Sequence, residues 1–102
     1  MTQFRLYGGL SEPNGTLIPH TQLDNFIENK IAPKIEAFTV LDTIGYWRGK
    51  REPGYILEFI QNDTPEFRAT LKTIAAEINS TFHQEAVLET IANLNTELLE
   101  TK

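Results

Sequence analysis

The stretch from Phe38 to Gln61 constrains the fold more than any other part of this chain. Two runs rich in β-branched and aromatic residues flank the polar segment Gly49–Gly54. Such side chains suit a pleated surface and glycine suits a tight turn, so the pattern predicts a β-hairpin. The hairpin carries the only tryptophan, Trp47, and three of the nine basic residues, Arg48, Lys50 and Arg51.

The remaining elements follow from periodicity. Gln3 to Leu10 alternates Phe4, Leu6 and Gly8 with Arg5, Tyr7 and Gly9, which is the period of a strand. Ser11 to His20 holds Pro13, Asn14-Gly15 and Pro19. It reads as a turn-rich connection with a small hairpin at Asn14-Gly15. Thr21-x-x-Asp24 resembles a capping box, and Leu23, Phe26, Ile27 and Ile31 follow at helical spacing until Pro33. A second helix begins at Thr64-Pro65-Glu66. Thr64 can cap it, Pro65 suits the first turn, and Glu66 complements the dipole. Phe67, Leu71, Ile74, Ile78 and Phe82 give it one apolar face. The segment Leu88–Leu98 fits either a helix face or a period-two alternation. Its two threonines and two asparagines favour the strand.

The order strand, helix, strand, strand, helix, strand predicts an α+β, ferredoxin-like βαββαβ sandwich. Right-handed crossovers put both helices on one face of a four-stranded antiparallel sheet. The other face is left open. A chain of 102 residues implies one domain spanning residues 1–102 with a core of its own.

Composition narrows the function classes. The net charge of −5 argues against sequence-independent nucleic-acid binding, which needs a broad cationic face. Without cysteine there is neither a disulfide nor thiol chemistry. No apolar run approaches the about 20 residues of a membrane span, and none follows Met1 as a signal would, so a cytoplasmic protein is expected. His20 and His83 lie far apart with no ligand spacing around them, so no metal or cofactor is expected. Gly8-Gly9 lacks the rest of a phosphate-binding fingerprint. His83, beside Gln84 and Glu85, can act as an acid or base, although a helix C-terminus alone accounts for it.

Two constellations are candidates for binding. On the open face, Arg5 and Tyr7 of the first strand neighbour Glu58 of the third, and the last strand adds Glu89. They make either a polar floor for a small ligand or an ion pair on a wet or subunit-covered sheet. At the hairpin tip, Trp47, Arg48 and Glu52 combine a stacking surface with charge, the combination enriched at binding hot spots. A tip charged to prevent edge pairing is the plainer account. Trp47 is expected to be partly buried with a partner for its indole nitrogen. Arg48 is expected inside the strand, and Lys50 and Arg51 in solvent.

In order along the chain stand Leu6-Tyr7-Gly8-Gly9-Leu10, Phe26, Phe38-Thr39-Val40-Leu41-Asp42, Gly45-Tyr46-Trp47-Arg48-Gly49, Glu52, and Phe82-His83-Gln84-Glu85-Ala86-Val87-Leu88. This series resembles a family of short bacterial proteins classed as a domain of unknown function, with a Thr-Val-x-Asp-x-x-Gly-x-Trp centre. The resemblance implies the ferredoxin-like fold and a terminal strand, and brings no catalytic residues. More distantly, the architecture is similar to the PII signal-transduction proteins. Those use a long loop between the second and third strands, where this chain has a short turn.

The function expected from these residues is small-molecule binding or regulation by a protein that self-associates through its sheet. Tyr7, Trp47, Arg48 and Glu52 would line the site with Arg5 and Glu58, and the basic tip favours a small anionic ligand. The alternative is a small enzyme of the dimeric ferredoxin-like type, in which Glu58 or His83 moves a proton.

Overall fold

A computed structural model describes residues 1–101. Six elements run in the expected order: β1 Thr2–Gly9, α1 His20–Phe26, β2 Thr39–Trp47, β3 Lys50–Gln61, α2 Pro65–Thr81 and β4 Leu88–Asn93. The strands form one antiparallel sheet in the order β2-β3-β1-β4. The two βαβ crossovers therefore interleave, and β1 and β3 are central.

Register assigns the faces. Phe4 pairs with Phe59 and Leu6 with Leu57, and all four are buried beneath the helices. α1 contributes Leu23 and Phe26 to that core, and α2 contributes Phe67, Leu71, Ile74 and Ile78. Aromatic edges lock the layers, with Phe67 against Phe4 and Phe59, and Phe26 against Phe82. Arg5, Tyr7 and Gly9 point the other way, onto the open face.

Helix α2 starts as its sequence dictates. Thr64 is extended, its Oγ1 accepts from the Phe67 amide at 3.1 Å, and Pro65 occupies the first helical turn. α1 does not. Its cap is Pro19, no side chain caps it, and the Gln22 amide donates to the Pro19 carbonyl. The proline ring fixes an extended residue directly before His20. Thr21 thus falls inside the first turn, and the expected capping box does not form. α1 runs on through a π-turn, Ile27–Ile31, closed by the Ala32 amide donating to the Ile27 carbonyl at 2.9 Å. This wider turn keeps Ile27 and Ile31 both buried before the chain turns at Pro33.

Three further expectations need correction. The β2–β3 connection is only Arg48-Gly49, both with positive φ (50° and 79°), the two-residue turn that matches strand twist. Lys50 to Gly54, expected as a loop, belongs to β3, and Arg48 sits in the turn rather than inside a strand. The last strand stops at Asn93, which pairs with Thr2 at the very start of β1. Beyond it Leu94 keeps one bond, to the Met1 carbonyl, and nothing remains to pair with the segment up to Leu98. Finally, Glu89 pairs with Leu6 and so lies on the helix side, near Arg68. β4 gives the open face Leu88, Thr90 and Ala92 instead.

Candidate functional site

The hairpin outgrows the sheet. β1 pairs with β3 only from Gln61 back to Gly54. The rest of β3 and its β2 partners, from Ile44 to Pro53, project as an arm beyond β1. Trp47, near the end of this arm, is 68% exposed, and Tyr46 beside it is 71% exposed. The expected burial of Trp47 therefore fails, because its pairing with Lys50 puts it on the open face, which neither helix covers. Its visible neighbour is Arg48, whose guanidinium lies 5.3 Å from the ring centroid.

An open groove of about 1270 Å³ lies between this arm, the Ser11–Leu17 connection and the segment Gln84–Leu88. The connection forms the small hairpin expected at Asn14-Gly15. Ser11 bridges Leu17, Gly15 takes φ of 89°, and Asn14 Oδ1 accepts from the Thr16 amide. Gln84 fastens it to the end of α2, with Nε2 donating at 2.9 Å to the carbonyls of both Ser11 and Phe82. Glu12 and His83 add a second tie, Nδ1 to Oε1 at 2.6 Å. His83 itself takes a left-handed φ of 54° directly after α2, a position that favours glycine. The dipole explanation of His83 omits this partner, 71 residues away.

Glycines clear the groove floor. A side chain at Gly54 would begin 2.7 Å from the Gly8 carbonyl, and one at Gly8 would begin 2.3 Å from the Tyr55 ring. The missing side chains let the strands and Tyr55 approach closely. Tyr55 is 1% exposed, and its hydroxyl has no hydrogen-bond partner among the described residues. Burial pushes its phenol up to about 12.

The sequence-derived site residues divide into three groups. Tyr7, Trp47 and Glu52 line the groove. Arg5 and Glu58 lie farther along the open face and satisfy each other. Arg5 Nε and Nη2 reach Glu58 Oε2 at 2.7 and 2.6 Å, and Gln3 Nε2 adds a longer bond at 3.3 Å. Glu58 borders a shallow hollow of about 140 Å³ with Phe38 and Thr39. Arg48 remains in the turn, outside the groove lining. The Arg5 guanidinium also holds the Tyr7 phenol below its ordinary value, helped by Thr90. Arg5 is in turn held above its ordinary value, by Tyr7 and then Glu58.

The basic cluster of the sequence is dispersed. Alternation sends Lys50 and Arg51 to opposite faces of β3, and both are exposed, yet both line the groove, which Arg48 does not. Glu52 is half-buried and, among the described residues, makes neither a hydrogen bond nor an ion pair. Sequence reasoning missed Glu12 and gave Gln84 no role, because both act through contacts more than 70 residues apart in the chain. Among the described residues no group of three or more His, Asp or Glu converges on a metal position, and no helix is long and apolar enough to cross a membrane.

A family model described as a protein of unknown function, DUF3574, matches residues 3–97. No curated protein matches the chain. Among solved structures it is similar to a phage SAM lyase in complex with S-methyl-5′-thioadenosine, with a TM-score of 0.68 and 16% identity. The match covers 89% of this chain and 79% of that one. It is likewise similar to a phage SAM lyase in the apo state, with a TM-score of 0.66 and 18% identity, over 89% and 78% of the two chains. At such identities the likeness establishes the fold, which is ferredoxin-like.

Proposed function

The chain belongs to the DUF3574 family, and for this member we propose a binding function, with the groove around Glu52 taking a small organic molecule. The observation that carries this reading is a half-buried carboxylate without a partner, set between aromatic side chains and a glycine-cleared floor. Small-molecule sites are concave, with apolar walls and a few polar groups that fix orientation. Trp47 and Tyr7 supply flat faces, and Glu52 supplies the polar group. Arg5 and Glu58 pair with each other on the same open face as Tyr7. Of the basic tip, Lys50 and Arg51 border the groove and Arg48 does not.

Self-association through the sheet belongs to the same reading. β2 is exposed on both faces, and Leu41, Ile60 and Leu88 are uncovered on the open face. Contiguous exposed apolar surface marks interaction sites. Sedimentation velocity is expected to give a dimer or larger species, and a monomer at tens of micromolar would remove this part.

The first probe is S-methyl-5′-thioadenosine, the molecule held by the similar phage enzyme. Calorimetric titration is expected to show binding that Trp47→Ala weakens. Failure of this nucleoside and of adenosine to bind at millimolar concentration would refute the reading. A second reading, a small enzyme, draws on the likeness to SAM lyase and on the Glu12–His83 pair at the groove edge. Release of S-methyl-5′-thioadenosine from SAM, abolished by His83→Ala, would decide for it.

A further inference from the structure

Two hydrogen-bond acceptors converge on one point of the groove floor. A side chain at Gly9 would begin 2.6 Å from Glu52 Oε1 and 3.8 Å from Gln84 Oε1. Neither oxygen receives a donor from the described residues. The orientation of the Gln84 amide is fixed by its other end, because Nε2 donates to two carbonyls, Ser11 and Phe82. Only the carbonyl oxygen is left to face Gly9. Position 9 has no side chain to fill the space, and Gly45, the cross-strand partner of Glu52, leaves open space beside it. Lys50 and Arg51 also line the groove, but neither pairs with Glu52.

From this we infer that the groove selects a ligand carrying a positively charged nitrogen, seated over Gly9 between Glu52 Oε1 and Gln84 Oε1. An acceptor-only pair rejects anions and leaves a neutral group without charge compensation for Glu52. A half-buried carboxylate gains most from a cationic donor, whose charge-assisted bonds are about twice as strong as neutral ones. The face of Tyr7 favours the same charge. This inference rests on the groove being a ligand site and adds the class of ligand and a role for Gln84.

The test compares adenosine with 5′-amino-5′-deoxyadenosine, which differ by one protonated amine at neutral pH. Titration calorimetry on the wild-type chain is expected to give at least about tenfold tighter binding of the amine, a preference that shrinks as salt is raised. Glu52→Gln is expected to bring the two affinities together. Equal affinities in the wild type, or a preference that survives Glu52→Gln, would overturn the inference and leave the binding function standing. Binding of neither compound would overturn both. Circular dichroism of Glu52→Gln, matched to wild type, separates these results from misfolding.

Discussion

Replacing Tyr55 by phenylalanine removes one buried oxygen and leaves the ring that fills the space under Gly8. The hydroxyl has no partner among the described residues, so folding strips it of water without return. A buried, unsatisfied polar group costs about 1–3 kcal/mol, and part of that is offset by contacts the oxygen makes. Y55F is therefore expected to be more stable by about 1 kcal/mol at pH 7, a rise in Tm of about 4–8 °C for a chain of this size. The alkaline limb provides a second reading of the same atom. The folded phenol is raised to about 12 from an ordinary 10.0 by burial. Below pH 10 it is neutral in both states and its contribution is intact. As pH rises from 10 to 12 the unfolded phenol ionises while the folded one cannot, so the wild type loses stability relative to Y55F. The gap widens by about 1.4 kcal/mol per pH unit in that window. Urea unfolding of both proteins at pH 7, 10 and 11 measures each part. A Y55F variant less stable than wild type by more than about 1 kcal/mol at pH 7 would mean that the hydroxyl has a partner. A gap that stays constant through pH 11 would refute the raised phenol.

Gly8→Ala is expected to destabilise by about 1–3 kcal/mol in urea unfolding, because its methyl group would meet the ring of a fully buried tyrosine; combined with Tyr55→Ala, the penalty of the glycine change should vanish. Thr64→Ala should cost about 1 kcal/mol through loss of the bond to the Phe67 amide, and Thr64→Ser should restore most of it. Trp47→Ala should change stability by less than about 1 kcal/mol in dilute protein, since the ring is 68% exposed. The single tryptophan should emit as a solvated indole, and a blue shift on raising protein concentration would place it in a subunit contact.

What the sequence determined by itself was local. The β-branched runs, the glycines between them, the Thr64-Pro65 start and the apolar stripe of α2 each act within a few residues. The order of these elements leaves one economical topology, so the βαββαβ sheet was legible before any coordinate. Even the neighbouring of Arg5 and Glu58 followed, because topology and alternation together fix which central side chains meet. The limits lay where a property depends on register or on the reach of another element. Glu89 changed face because β4 pairs through Leu6 rather than one residue along, and a single step inverts every side chain. Trp47 reads as core by composition, yet register puts it on the face that carries no helix, which nothing near Trp47 encodes. The acceptor pair at Gly9 joins residues 9, 52 and 84 from three separate elements. Only the assembled sheet and the chain's return after α2 bring those atoms together, since no local preference acts over such separations.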